Sequence, residues 1–317
     1  MVPFLDRSLS RAITTISRRF LDGLLTVWAA VTITFFALRI VAGDPLSNLL
    51  SQGLATQEQL ESMREVLGLD RSLPVQYMNF LLDLLRGRLG RSLYTGQPVV
   101  DVIFEQLPST LALATGALIL AVILGFFLGI LAAWKKGSTA GTLAEGTASL
   151  ATALPVAFTG ILAILLFTLF ISRSGGSLSI KTHVLPVLVL GFASAGAIAR
   201  VVQSGLEESI QSPYMLAARA RGIRSTPRLL WHAVRPILPP VISLIALEMA
   251  FLFAGTVITE TVFSRPGLGR LLVNSILQGD YPVAQGLVIL AALFYTFSHL
   301  IADVLAMLID PRMEGRT

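Results

Sequence analysis

Six long apolar runs, at roughly 20–41, 108–133, 148–171, 184–206, 237–262 and 283–309, constrain this chain more than anything else in it. Each is close to the about 20 residues that a helix needs to cross the hydrocarbon core of a bilayer. A helix satisfies its own backbone hydrogen bonds there, which strands do only in a closed barrel. The fold class that follows is an all-α polytopic membrane protein with six transmembrane helices. Only 14% of the 317 residues are charged, against about 25% in soluble domains. The chain has no cysteine, so disulfides, iron–sulfur clusters and thiolate chemistry are excluded.

The charges then set a topology. A formal net charge of +5 raises nucleic acid as a partner, but the basic residues gather at the ends of the apolar runs, where topology explains them without one. Arg7, Arg11, Arg18 and Arg19 precede the first run, and Lys135 and Lys136 follow the second. Arg219, Arg221, Arg224, Arg228 and Arg235 lie between the fourth and fifth, and Arg312 and Arg316 end the chain. An even number of spans puts these four segments on one side, so both termini are expected in the cytoplasm. The basic start and the first run also describe a signal peptide with a cleavage site at Val41-Ala42-Gly43. The run exceeds the about 7–15 residues of a signal core, which favours a retained anchor.

The map that results has a cytoplasmic segment at 1–19, an external helical segment at 42–107, a cytoplasmic loop at 207–236, an external loop at 263–282 and a cytoplasmic tail at 310–317. In the external segment Thr56 and Gln59 make a capping box opening a helix to Leu67, which Gly68 ends. Pro74 opens a second helix to Leu85, with Tyr77 and Phe80 on its apolar face. Spans two and three carry Gly116, Gly125, Gly129, Ala148, Ala151 and Gly160, small residues that let membrane helices approach closely. Pro155 implies a kink or break in the third span, and Gly175-Gly176 turns the short loop at 172–183.

The most basic interior stretch is 209–240. Ser212 is placed to cap a helix with Pro213 at its first position, and Gly222 suits the left-handed residue that ends it. Thr226-Pro227 restarts the chain, and Pro236, Pro239 and Pro240 are expected to stop the second helix before the fifth span. Such a helix–glycine–helix element between two spans reads as a part that touches something at the cytoplasmic face. The plainer reading is a basic loop that only obeys the positive-inside rule.

The run from Ala217 to Ile223, followed by Ile237-Leu238-Pro239, resembles the "EAA" loop of ABC-importer permeases, with Leu216 in place of the usual Glu. Further landmarks are Gly43-Asp44-Pro45, Leu67-Gly68-Leu69-Asp70, Gln76-Tyr77, Leu89-Gly90-Arg91-Ser92 and Leu107-Pro108-Ser109-Thr110-Leu111. Thr259-Glu260-Thr261-Val262-Phe263, Pro266-Gly267-Leu268-Gly269, Asp280-Tyr281-Pro282 and Asp310-Pro311-Arg312 complete the series. By these the chain is identified as a member of the dipeptide/oligopeptide/nickel branch of ABC permeases. It departs from the usual Gly-Asp-Leu-Gly-Arg-Ser pattern by carrying Arg88 where that pattern has Asp.

The resemblance implies a fold like that of type I ABC importer permeases, in a prokaryotic inner or plasma membrane. It implies a coupling helix, with Tyr214, Ala217, Ala218, Arg219, Ala220 and Gly222 at the ATPase. The partners it implies are a second permease, homologous or a second copy, two nucleotide-binding ATPase subunits and an extracytoplasmic solute-binding protein. ATP and Mg belong to those subunits, and no cofactor is expected on this chain. The segment at 42–107 is either a dock for the binding protein or a passive folded loop. Dipeptides, oligopeptides, nickel or its chelates, glutathione and opine-like solutes all stay open as cargo.

No G-x-x-x-x-G-K-[ST], H-E-x-x-H or G-x-S-x-G occurs in the sequence, so no catalytic residue is assigned and the chain is not read as an enzyme by itself. The ionisable residues read at membrane depth are Arg39, Glu248, Glu260, His299 and Asp303. Arg39 and Glu260 lie near outer ends and are expected to reach water. Glu248 falls mid-span, and His299 and Asp303 are four apart on one helix face. They read as a polar pathway lining or an interhelical hydrogen-bond cluster. One His and two carboxylates on separate helices are thin for a metal site, and none is assigned. The competing function is an ion-coupled secondary transporter that uses Glu248, His299 and Asp303. Inverted repeats would support it, and none is evident.

Overall fold

The computed structural model describes residues 2–41, 46, 53, 56–66, 68–171 and 180–309. The landmarks Gly43-Asp44-Pro45 and Asp310-Pro311-Arg312 and the turn at Gly175-Gly176 lie outside them. Among the described residues every regular element is helical: α1 (Val2–Val41), α2 (Gln57–Val66), α3 (Leu73–Leu85), α4 (Val99–Trp134), α5 (Thr139–Ala153), α6 (Val156–Leu166), α7 (Leu185–Gln211), α8 (Pro213–Ala220), α9 (Val234–Val262), α10 (Leu268–Gln278) and α11 (Tyr281–Ile309). Five helical runs are long and apolar enough to cross a membrane: Arg19–Ile40, Val99–Trp134, Thr182–Gln211, Ser225–Val262 and Tyr281–Ala302. A bent pair, Thr139–Ala153 with Val156–Phe170, makes six if it counts as one span.

The chain divides into two compact units, Met1–Ser109 with Pro266–Thr296, and Thr110–Arg265 with Phe297–Thr317. In the first, the capping box forms as its residues dictate. The Thr56 N–H donates to Gln59 Oε1 at 2.9 Å and the Gln59 N–H donates to Thr56 Oγ1 at 3.4 Å. Gly68, at φ +64, closes α2, with the Leu69 N–H on the Arg64 carbonyl at 3.0 Å. Aromatic rings join α3 to α1: the wholly buried Phe35 meets Tyr77 at 5.2 Å and stacks on Phe80 at 5.3 Å. The Thr32 and Tyr77 hydroxyls share a hydrogen bond of 2.7 Å.

In the second unit α7 is the central helix, packed against α5, α6 and α9. Small residues set its distances. A Cβ on Gly129 of α4 would stand 2.6 Å from the Ala199 carbonyl of α7, and one on Gly196 of α7 would stand 2.6 Å from the Ala148 carbonyl of α5. Neither side chain fits, so backbone rests on backbone. The break expected at Pro155 is a bend of 108° between α5 and α6.

One expectation fails. Pro236, Pro239 and Pro240 do not stop a helix, because the chain runs as one helical rod from Ser225 to Val262. A π-helical stretch, Arg228–Ala233, leads directly into α9. It shifts the hydrogen-bond register, and the His232 carbonyl, four residues before the missing N–H of Pro236, accepts from the Tyr214 hydroxyl at 3.1 Å. Pro239 and Pro240 lie inside α9, where membrane helices tolerate proline if neighbouring groups take up the freed carbonyls.

Candidate functional site

The loop between α7 and α9 is held by one tyrosine. Tyr214 shares a hydrogen bond of 2.5 Å with the Ser209 hydroxyl of α7 and donates to the His232 carbonyl of the π-helical stretch at 3.1 Å. Ser212 occupies the N-cap position of α8 with Pro213 beginning the helix, but its hydroxyl donates back to the Ser209 carbonyl at 2.5 Å rather than capping the first turn. At the other end Gly222 has φ +73. Its N–H reaches the Arg219 carbonyl at 3.0 Å, and the Ile223 N–H reaches that of Ala218 at 3.3 Å. That pair of bonds is the Schellman closure that a left-handed residue allows.

The helix so fixed has two faces. Met215 and Ala218 are each 5% exposed, and Met215 joins a core of Leu206, Leu229, Ala233 and Ile237. Tyr214, Ala217, Arg219, Ala220, Arg221 and Gly222 are exposed, beside Leu216 at 62% and Trp231 at 73%. Ala218 thus stands apart from the other loop residues: it packs inward, where α8 meets its own chain. The unforeseen members of the surface are Leu216 and Trp231, bulky apolar side chains standing clear of the core.

The intramembrane charges differ from expectation at one place. Glu260 does not reach water: it is wholly buried and accepts from Thr110 Oγ1 at 2.7 Å. The Arg265 N–H donates to the Glu260 carbonyl at 2.9 Å, and Arg265 Nη1 donates to the Thr182 carbonyl at 3.1 Å. Burial holds the Arg265 guanidinium below its ordinary pKa, and the Glu260 carboxylate opposes that shift. Arg39 is half-buried, 3.6 Å over the Phe35 ring, with Nε donating to Gln76 Oε1 at 3.0 Å. At Glu260 a protein partner replaces water, which makes burial of the charge tolerable, while Arg39 keeps part of its surface exposed as expected.

Glu248 is buried, at 8% exposure. His299 is half-buried, and the Asp303 side chain lies outside the described residues. Among the described residues no three His, Cys, Asp or Glu side chains gather closely enough to hold a metal ion.

Two landmarks far apart in the sequence meet. Ser92 Oγ donates to Asp280 Oδ2 at 2.5 Å, and the Leu93 N–H donates to Oδ1 at 3.2 Å. The Tyr94 hydroxyl donates to the Gln278 carbonyl. Both Ser92 and Asp280 are buried, so this clasp fixes the turn before α4 to the start of α11. Only the order of these motifs was visible in the sequence.

The class defined here is an all-helical, multi-span membrane protein with a surface helix braced between two spans. The chain matches the model for the "binding-protein-dependent transport system inner membrane component" over residues 125–315, and that for the N-terminal part of the membrane component over residues 12–114. It belongs to that family. A "probable peptide ABC transporter permease protein" of Sinorhizobium fredii is 32% identical over 93% of this chain and 98% of its own length. A "nickel import system permease protein" of Staphylococcus aureus is 32% identical over 93% and 90%. A crystal structure of an amino acid ABC transporter with histidines matches 67% of this chain and 94% of its own at a TM-score of 0.52. At 16% identity that likeness speaks for the fold alone.

Proposed function

We propose that this chain is the transmembrane permease subunit of an ATP-binding-cassette importer. With a second permease it forms the pathway for peptides or similar small solutes. Two nucleotide-binding subunits hydrolyse ATP with Mg at the cytoplasmic face, and an extracytoplasmic solute-binding protein delivers the cargo. Both termini and the α8 loop face the cytoplasm. The relatives quoted above are described as peptide and nickel permeases; peptides are the first cargo to test and nickel the second. No observation favours the ion-coupled reading.

The observation that carries the proposal is α8 itself: a short helix with its outer face bare and its inner face packed in the core. Tyr214 ties it to the helices on both sides, so a push on α8 moves the spans. ATP binding on the partner subunits would then shift an equilibrium between inward- and outward-facing states. Tyr214, Ala217, Arg219, Ala220 and Gly222 are the contact residues, with Ala218 as the buried anchor beneath them.

The test is co-purification of the tagged chain in mild detergent, followed by an ATPase assay on what accompanies it. A second permease and nucleotide-binding subunits are expected, and Gly222→Val should leave the complex hydrolysing ATP without uptake. Nothing lies within 4 Å of a Cβ at Gly222, so that variant strains only the loop turn. A chain that purifies alone and moves solute down an ion gradient would overturn the reading.

A further inference from the structure

A cavity of about 590 Å³ opens within the first unit, walled by the segment after the first span, α1 and the start of α11. Its size falls in the range of roughly 300–1,000 Å³ typical of small-molecule sites. Its charge is one-sided. Among the described residues Arg39, Arg88 and Arg91 line it, against the single carboxylate of Asp83. Arg39 is pre-positioned: Phe35 lies under its guanidinium, and Gln76 holds its Nε while donating to the Leu69 and Arg71 carbonyls at 3.2 and 2.8 Å. Arg88 and Arg91 are exposed at the rim.

The second observation is Gln285. It is 7% exposed, lines the same cavity, and its buried amide nitrogen has no hydrogen-bond acceptor among the described residues. An unmet buried donor is costly. The terminal torsion of a glutamine is soft, so this amide can turn to a ligand without moving α11. The remaining wall includes Leu69, Phe80 and Leu89. Guanidinium and amide donors beside an apolar wall call for an acceptor-rich anion with an apolar body.

We infer that this cavity is a binding site for a small amphipathic carboxylate, its carboxylate on Arg39, Arg88 and Gln285 and its apolar part against Phe80 and Leu69. Planar guanidinium groups match a carboxylate in bidentate fashion. Arg88 is also the position at which this sequence departs from the Asp of the pattern it otherwise resembles, and the departure puts a positive charge on that wall in place of a negative one.

The experiment is calorimetric titration of the full chain in lipid nanodiscs, with phenylacetate as probe and phenylacetamide as its uncharged counterpart. It needs no ATPase and no binding protein, so it stands or falls apart from the transport reading. Saturable phenylacetate binding, at least tenfold tighter than the amide, is expected. Arg88→Gln, at an exposed turn position, should weaken it about tenfold while the thermal transition stays put, and Gln285→Leu should weaken it by a similar factor. Equal binding of acid and amide, no saturation by 10 mM, or an Arg88→Gln variant that binds like the parent would each overturn the site.

Discussion

Ser92 and Asp280 are buried and bonded to one another, and their partners are all in this chain. In the α8 loop, Arg219, Arg221, Leu216 and Trp231 face outward, and Tyr214 ties the loop to the helices on both sides. Both stretches read as signatures in the sequence. One fastens the chain to itself, and the other offers a braced but uncovered surface. Exposure separates the two roles, and residue type does not: arginine, tyrosine and serine occur in both.

Four substitutions sharpen or break this contrast. Glu260→Ala has the largest expected effect, because it deletes the buried bond from the Thr110 hydroxyl and removes the carboxylate facing the buried Arg265. A loss of about 3 kcal/mol or more is expected, read as poor yield and a lowered thermal transition in detergent. Asp280→Ala leaves the Ser92 hydroxyl and the Leu93 N–H without their acceptor. It should cost about 1–3 kcal/mol; an unchanged transition temperature would remove the clasp from the account. Tyr214→Phe deletes two hydrogen bonds at a half-exposed site and should cost about 1 kcal/mol, with a larger fall in uptake per ATP hydrolysed. Leu216→Ser should shift stability by no more than about 0.5 kcal/mol, yet release co-purifying ATPase subunits. If those subunits stay bound, Leu216 is not part of the docking face.

What was legible in the sequence was local. The reciprocal bonds of Thr56 and Gln59, the left-handed Gly222 and the break at Pro155 each follow from a few neighbouring residues. The long apolar runs are legible for the same reason, since hydropathy needs no partner. Burial of Glu260 was not, because it depends on Thr110, 150 residues away. The Ser92–Asp280 clasp spans 188 residues and leaves no trace in spacing. The prolines of α9 misled because the π-helical stretch before them changes the register that makes proline a stop. Arg39 stays partly exposed, as its place near the helix end indicates, while its bond to Gln76, 37 residues away, was not legible.

The glycine contacts of α7 have a kinematic meaning. Where a backbone carbonyl already occupies the place of a side chain, two helices have no free volume through which to slide or roll. Gly129 and Gly196 therefore remove degrees of freedom, and α4, α5 and α7 act over these residues as one stiff body. Motion in this unit is left to its joints, the 108° bend at Leu154 and Pro155 and the π-helical stretch Arg228–Ala233. Under the proposed function, a thrust delivered at α8 would be geared into rotation about these two joints instead of being dissipated in the shearing of packed helices.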